Sequence, residues 1–208
     1  MRKALYLPNN SRCITMNFYG ARDYIMQKLK SELDPFYYYH NVVHTEDVHR
    51  AVVYLSEIEH LSKEEQILIE TAAFYHDSGI LIKYLGHEEE SVLIAREILP
   101  SFGYSEPDIE FIKDLIMATN AQGNVDTLPK KILFDADLDY LGRPDYFIIA
   151  QRLRLEWSIF GEQFSLKNWY ISQVKYLENH VYLTDSAFRM RNKGKQENLN
   201  QIKELLMP

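Results

Sequence analysis

The 208-residue chain has very little cysteine and no long apolar run. Its one cysteine, Cys13, has no second cysteine in the chain to pair with, which favours a reducing compartment. No stretch approaches the roughly 20 consecutive apolar residues that a membrane-spanning helix needs. The N-terminal MRKALYLPNNSRCITM also lacks an apolar run of signal-peptide length, because PNNS at 8–11 interrupts it. The sequence therefore predicts a soluble, cytoplasmic protein without a membrane partner.

The chain has no excess of basic residues. Thirty acidic residues outnumber 23 basic ones, and the formal net charge is -7. This balance excludes the basic stripe that binds DNA or RNA backbones, so no nucleic-acid partner is expected. A small anionic ligand remains compatible if a metal ion and a few local cations reverse the field inside one cleft. With 46% hydrophobic and 25% charged residues the composition is that of a globular protein, and one domain is a simpler expectation than two small ones.

Apolar residues recur at helical spacing through the first third of the chain. Two helices are predicted from this spacing, and their apolar faces are Ala21, Ile25, Leu29 and Leu33, then Val48, Ala51, Val52, Leu55 and Ile58. A capping box, Ser62 followed by Glu65, opens a third helix that should stop near Gly79. The doublet His76-Asp77 would then lie in the last turn of that helix.

The rest of the chain also has the spacing of helices. Further helices are predicted at about 87–99, after Ser105, and at about 146–157, 166–178 and 186–206, the last capped by Thr184 or Asp185. The segment KKILFDADLDYLG after Pro129 fits either a short helix or a buried strand, and helix is favoured because no partner strands occur. We find no internal repeat and no low-complexity linker. The sequence predicts an all-α fold.

Five residues have side chains suited to metal or proton chemistry: His40 and His44, the doublet His76-Asp77, and Asp137 within an acidic cluster. Helical positions four apart differ by about 40° in azimuth, so His40 and His44 would face one cleft if their segment is helical. The alternative is a pair of surface histidines that bind nothing. Neither pair decides the question without its context.

That context resembles a known family. YHNVVHTEDVHRAV is followed by AAFYHDSG, with 32 positions from residue 44 to 76, and then by DADLDYLG, with 60 positions from residue 77 to 137. This order of His, His-Asp and Asp resembles the HD superfamily of metal-dependent phosphohydrolases. YHN-x-x-H-x-x-DV also resembles the opening signature of cyclic-nucleotide phosphodiesterases, LIMATN is similar to their later ATD segment, and GHEEES resembles an HE-x-x-S element of bacterial members. The resemblance covers about 39–142, and DYLGRPDYF and residues 169–182 look like one bacterial subfamily.

The resemblance implies a compact helical HD-domain fold with additional C-terminal helices. Residues 1–208 would form one domain, with the metal-site core at about 36–145 and a helical extension at about 146–208. The implied metal ligands are His44, His76, Asp77 and Asp137, and His40 would protonate the leaving oxygen. Asp77 would also take part in catalysis, since it could bridge to a second ion. Asp135 and Asp139 would only flank the site.

The residue types agree with this chemistry. Two imidazoles and two carboxylates favour manganese, iron, zinc, nickel or magnesium over calcium. Such an ion lowers the pKa of a bound water and polarises a phosphoryl oxygen. The expected reaction is hydrolysis of a phosphoester, mono- or diester, in a nucleotide or a similar small phosphate compound. One tightly bound ion is favoured over two, because only His87, Glu88 and Glu89 are available as extra ligands.

Six residues are candidates for substrate binding: Lys83, His87, Glu88, Thr119, Asn120 and Arg143. Four of them have a plainer interpretation. His87 and Glu88 fit the solvated first turn of a helix, and an isolated Lys or Arg on a loop is usually only solvated. Thr119 and Asn120 occupy the place of the phosphodiesterase Thr-Asp pair, with Asn replacing Asp.

Residues outside these motifs are interpreted structurally. Trp157 and Trp169 are expected in the core, and His180 at a helix end where a positive charge is favourable. Two other functions remain open: a non-catalytic metal- or nucleotide-binding regulatory HD module, and a helical scaffold whose histidines hold no metal. A homo-oligomer is compatible with the sequence.

Overall fold

The computed structural model describes residues 16–120 and 123–207, so Cys13 and the N-terminal segment discussed above lie outside the described residues. Its α-helices are α1 (Phe18–Glu32), α2 (Val42–Ile58), α3 (Lys63–Tyr75), α4 (His87–Ile98), α5 (Glu106–Thr119), α6 (Leu128–Asp137), α7 (Tyr146–Phe160), α8 (Leu166–Asn179) and α9 (Asp185–Leu206). Short 3-10 turns cover Ser78–Leu81, Leu99–Phe102 and Asp139–Gly142. Within the described ranges there is no strand, so the all-α prediction is confirmed, including the helix after Thr127. No described helix combines the length and the apolar character that crossing a bilayer requires.

The helix boundaries near the histidines differ from two predictions. Asn41 caps α2 by accepting a hydrogen bond from the Val43 N–H at 2.9 Å, so His40 lies before the helix and the helical-azimuth argument does not apply to it. The Ser62 capping box opens α3 as predicted, but α3 ends at Tyr75. His76 therefore closes the helix and Asp77 begins the next turn, rather than both lying in the last turn of a longer helix.

Two hydrophobic clusters hold the helices together. The first cluster contains residues from all of the helices α1 through α6, among them Ile25, Leu55 and Ile112. The second joins the segment before α2, the turn Asp139–Gly142 and helices α7 to α9, around the fully buried Trp169. Helix α2 packs on both α3 and α6, so the start of α2 and the ends of α3 and α6 meet where the two clusters adjoin.

Two glycines let α9 approach the turn Asp139–Gly142. A Cβ on Gly142 would lie 2.3 Å from the Arg191 carbonyl oxygen, and a Cβ on Gly194 would lie 2.2 Å from the Gly142 carbonyl oxygen. Both distances are too short for any side chain, so only glycine permits this contact. The contact places the Arg191 guanidinium against the Asp139 carboxylate, with Nε 2.6 Å from Oδ1.

Trp157 and His180 partly depart from prediction. Trp169 is buried as expected, but Trp157, which packs edge-on against it, is 37% exposed. His180 does end α8, yet its ring is 9% exposed and, in the described part of the chain, neither ring nitrogen has a hydrogen-bond partner. Burial, and then the nearby Lys195, lower the pKa of His180 from 6.5 to about 4. The prediction of a favourable positive charge on His180 is therefore wrong, because the buried ring is neutral at pH 7.

This neutral histidine predicts an acid-dependent loss of stability. The folded pKa of about 4 lies below the unfolded value of about 6.5, so the unfolded chain binds the proton first. The stability that the folded state gains from keeping His180 neutral is fully present above pH 6.5, and it is lost as the pH falls from 6.5 towards 4. Urea unfolding at pH 7.5 and 4.5 should show that His180→Phe loses about 2 kcal/mol less stability on acidification than the wild type. His60→Asn, at an exposed position just beyond α2, should behave like the wild type; equal losses in all three proteins would contradict the prediction.

Candidate metal centre

Three helix ends bring four of the candidate side chains together. His44 lies in the first turn of α2, His76 and Asp77 follow the end of α3, and Asp137 is the last residue of α6. His44, His76 and Asp77 are buried, while the Asp137 side chain is 20% exposed. The group is therefore a pocket floor with one side, at Asp137, open to solvent.

Facing nitrogen and oxygen atoms link these four residues at distances of 3.1 to 3.7 Å. Nε2 of His44 is 3.1 Å from Oδ1 of Asp137 and 3.2 Å from Oδ2 of Asp77. Nε2 of His76 is 3.1 Å from Oδ2 of Asp77 and 3.4 Å from Nε2 of His44. Ligand atoms that sit about 2.1 Å from one ion and at right angles to each other are roughly 3.0 Å apart. His44, His76 and Asp77 offer three ligand atoms within 4.8 Å of one another, which fits ligation of a single divalent cation. Oδ1 of Asp137 approaches this group at 3.1 Å from Nε2 of His44 and 3.7 Å from Nε2 of His76.

The hydrogen bonds of His76 and Asp77 also agree with a cation bound between these residues. Nδ1 of His76 donates to the Ala73 carbonyl at 2.8 Å, which leaves its Nε2 without a proton in the neutral ring. Oδ2 of Asp77 is buried and, among the described residues, accepts no hydrogen bond. An unpaired buried carboxylate oxygen is costly. A cation between this oxygen and the two imidazoles would satisfy all three groups.

The charges in the centre are strongly coupled. Burial lowers the pKa of His44, but the adjacent carboxylates of Asp137 and Asp77 outweigh burial and raise that pKa from 6.5 to about 9. Burial raises the pKa of Asp77, yet the charge of His76 and the close imidazoles of His44 and His87 hold that pKa well below its usual range. Without an ion the two acids thus hold protons on the imidazoles. A metal ion would take the place of those protons.

Asp77 also faces a second group of potential ligands. One ligand atom each from His40, Asp77 and His87 lie within 4.8 Å of one another. Oδ1 of Asp77 is 3.2 Å from Nε2 of His87, whose Nδ1 donates to the Tyr84 carbonyl at 2.8 Å. Asp77 therefore directs one carboxylate oxygen to each group.

A close backbone contact explains why His87 reaches Asp77. A Cβ on Gly79 would lie 1.9 Å from the His87 carbonyl oxygen, so the turn after Asp77 packs directly on the start of α4. The Ser91 hydroxyl fixes this contact by accepting a hydrogen bond from the Gly79 N–H at 2.8 Å. Gly79 of the HDSG segment and Ser91 of the GHEEES segment thus serve the same contact between the turn and α4.

The sequence interpretation missed one residue of the site, Glu156. Its carboxylate is fully buried on α7 and accepts hydrogen bonds from the backbone N–H groups of Tyr39 and His40, at 2.7 and 3.0 Å. Its other oxygen accepts from Nδ1 of His40. The signal was present, because Glu156 lies seven residues after the buried Ile149 and so occupies a core position of its helix. A carboxylate at such a position needs a partner.

A small pocket opens beside the centre. It has a volume of about 30 Å³ and is lined by His44, Asp47, Asp137, Asp139 and Arg143, among others. The Arg143 guanidinium binds the Asp145 carboxylate at 2.6 and 2.9 Å and the Asp47 carboxylate at 2.8 Å. Of the six residues predicted to bind substrate, His87 and Arg143 lie at the centre or its pocket.

The other four predicted substrate-binding residues have different surroundings. Lys83 pairs with Glu90 at 3.0 Å and Glu89 at 3.4 Å. Thr119 donates to the Ile116 carbonyl of its own helix at 2.8 Å, and Asn120 caps the end of α5. Glu88 lies in the first turn of α4. The structure brings none of these four into the two ligand groups, so their roles stay predictions.

The flanking acids hold the surrounding elements. Asp135 accepts hydrogen bonds from the backbone N–H groups of Leu183 and Thr184, at 2.8 Å each, and from the Thr184 hydroxyl at 2.7 Å. Asp139 binds Arg191 of α9. Both carboxylates thus fix the C-terminal helices to the end of α6.

Comparison with other proteins gives one sequence relative and several structures. No protein-family model matches the chain. An uncharacterized protein of Clostridium beijerinckii is 35% identical over 97 residues, which make up 45% of this chain and 61% of the relative, less than two thirds of its length. A predicted HD superfamily hydrolase from an uncultured Thermotogales bacterium superposes with a TM-score of 0.59 at 20% identity, over 90% of each chain.

Bacillus subtilis YpgQ superposes better. Its TM-score is 0.65 at 22% identity, over 91% of this chain and 96% of YpgQ. A second YpgQ structure, in complex with ADP, gives 0.66 at 20% identity, over 91% and 95%. At these identities the likeness concerns the fold, which is the all-α fold of HD-domain proteins.

Proposed function

We propose that the chain is a metal-dependent phosphohydrolase that acts on a phosphoester of a nucleotide or a similar small phosphate compound. The observation that carries the proposal is the buried Oδ2 of Asp77, which faces two imidazole nitrogens and accepts no hydrogen bond in the described part of the chain. His44, His76, Asp77 and Asp137 would hold a divalent ion such as Mn, Fe, Zn, Ni or Mg. When bound, that ion would supply Lewis acidity and lower the pKa of water.

Side chains of the protein would donate the proton to the leaving oxygen and bind the negatively charged phosphate. Glu156 accepts a hydrogen bond from Nδ1 of His40, so Nε2 is the ring nitrogen from which His40 would donate a proton to the leaving oxygen. Glu156 is a positioning residue, since it acts through His40. Arg143, fixed by Asp47 and Asp145, would offer positive charge to the phosphate beside the centre.

We assign one tightly bound ion to the group of His44, His76 and Asp77 together with Asp137. In this arrangement the second group, His40, Asp77 and His87, binds the substrate and supplies the proton for the leaving oxygen. Asp77 is shared between the two groups, so two ions bridged by Asp77 are the alternative. The number of ions per chain distinguishes these arrangements.

The nucleotide part of the proposal has separate support. YpgQ, which has the same fold, was crystallised in complex with ADP. The acidic chain also has two arginines, Arg143 and Arg152, in the lining of the small pocket beside the centre. Whether the ester is a monoester or a diester depends on the shape of the complete substrate pocket.

Metal analysis combined with an activity assay tests the proposal. The protein would be stripped with a chelator, reloaded with each ion, and assayed against nucleoside mono-, di- and triphosphates and cyclic nucleotides. We expect one ion per chain and turnover that requires it. An ion and a bound nucleotide without turnover would favour the non-catalytic regulatory module, while no ion at all would favour the metal-free scaffold and refute the proposal.

Glu156→Gln should lower turnover without removing the ion. The amide keeps the shape and accepts the backbone hydrogen bonds, but it does not stabilise a positively charged His40 as a carboxylate does. Loss of a carboxylate that orients a functional histidine reduces activity by about 10-fold to 100-fold, and the pH profile of kcat should change. The exposed Glu162→Gln provides the control. Loss of the ion in Glu156→Gln, or an unchanged pH profile, would contradict a positioning role.

A further inference from the structure

A second and larger cavity lies next to the metal centre. Its volume is about 370 Å³, and it is lined by residues of α2 and α9 and of the turn between α6 and α7. Asp47, Asp139 and Arg143 line both this cavity and the small pocket beside His44. The two spaces therefore adjoin at these three side chains.

The small pocket cannot hold a whole substrate. Its volume of about 30 Å³ is that of only two or so water-sized probes. A nucleotide whose phosphoester reaches His44 and Asp137 must extend beyond this pocket. The adjoining cavity offers the space.

The geometry of α2 continues the site in that direction. His44, Asp47 and Arg50 are three residues apart along α2, a spacing that keeps neighbours on adjacent parts of one helix face. The helix rises about 1.5 Å per residue, so Arg50 lies about 9 Å along the axis from His44. Groups bound near Arg50 would thus be remote from the reacting phosphoester.

The cavity is lined by three arginines, Arg50, Arg143 and Arg191, against two acids, Asp47 and Asp139. Among the described contacts, Arg191 uses two of its five N–H groups on Asp139, and Arg143 uses three on Asp47 and Asp145. Each guanidinium is fixed by a carboxylate and still has donors left. With Asp145, the other partner of Arg143, three carboxylates balance the three arginines, so a bound anion would depend on the remaining guanidinium N–H donors rather than on excess positive charge.

We propose that Arg50 and Arg191, together with Arg143, which also borders the pocket of the reacting phosphoester, form a subsite for a second phosphate group of the substrate. Guanidinium groups bind phosphate oxygens through paired, charge-assisted hydrogen bonds. The subsite would favour substrates with more than one phosphate group over monophosphates. This inference rests on the proposed function for its meaning, but the anion binding itself does not require hydrolysis.

Arg50 allows the cleanest test. Its side chain is 66% exposed and, within the described residues, pairs with Asp47 alone, so its removal should leave the fold intact. Binding of inorganic tripolyphosphate to the full-length chain would be measured by calorimetry in metal-free buffer. Arg50→Ala should weaken binding about tenfold, the value of one charge-assisted hydrogen bond, and Arg50→Lys should weaken it less. The affinity of the wild type should also fall with added salt.

Arg96→Ala is the matched control, because Arg96 pairs with Glu110 on α4 and α5, away from the cavity. Its affinity should equal that of the wild type. Failure of the wild type to bind tripolyphosphate, or equal affinities in Arg50→Ala and Arg96→Ala, would overturn the subsite even if metal-dependent hydrolysis is observed. Binding that depends on Arg50 in a protein without hydrolysis would keep the subsite and reject the proposed function.

Discussion

Asp77→Asn should abolish both ion binding and hydrolysis, with turnover falling by at least about 10³-fold, which corresponds to roughly 4 kcal/mol of lost transition-state stabilisation. Asp77 directs one oxygen to His44 and His76 and the other to His87. An amide has no charge to hold the ion, and its NH₂ group would point donors at the same site. Elemental analysis of the purified variant and a turnover assay with added Mn, Zn or Mg would measure the two losses.

A second buried acid separates this effect from general damage. Asp135 is as buried as Asp77, but its carboxylate accepts hydrogen bonds from Leu183 and Thr184. Asp135→Asn should therefore lower the free energy of unfolding and keep one ion per chain. If Asp77→Asn retained an ion with the affinity of the wild type, the proposed metal centre would be wrong.

The helices could be predicted from sequence because each has local signals. The capping box at Ser62 and the apolar faces of α1 and α2 depend on residues only three or four positions apart. The end of α3 was predicted near Gly79 and lies at Tyr75. After the helix end, Gly79 packs directly on the start of α4 at His87, a contact that the local sequence does not contain.

The candidate metal residues came from a motif, and the structure places His44, His76, Asp77 and Asp137 side by side. Glu156 could not be found in this way, because it contacts His40 across 116 positions of the chain and belongs to no motif. Such a contact depends on how α7 packs on the segment before α2. A buried acid at a core helix position predicts that a partner exists but not which residue it is.

Charge states were also set by tertiary packing. The sequence placed His180 at a helix end, where a positive charge is favourable, and the helix end is correct. Burial and the approach of Lys195 from α9 reverse the preference, so the ring is neutral. Arg191 likewise reaches Asp139 only because Gly142 and Gly194 let α9 approach closely. Local sequence contains neither contact.

His40→Gln should lower turnover by about 10²-fold to 10⁴-fold and keep the ion. The ring nitrogen Nδ1 of His40 is fixed by Glu156, and the ring lies 5.2 Å from that of His87 and 6.0 Å from that of His44. The glutamine amide still donates to the buried Glu156, so the variant should fold, but it cannot deliver a proton to the leaving oxygen. Circular dichroism melts and elemental analysis would check the fold and the ion.

The choice of substrate makes this loss diagnostic. A 4-nitrophenyl phosphate ester has a weakly basic leaving group that departs without a proton, so His40→Gln should lose less than about tenfold on it if the residue is the acid. An equal loss on a nucleotide and on the nitrophenyl ester would reject the role as proton donor. Loss of one ion of two per chain would instead make His40 a ligand, together with Asp77 and His87. The same variant thus separates proton transfer at the leaving oxygen from ligation of a second cation.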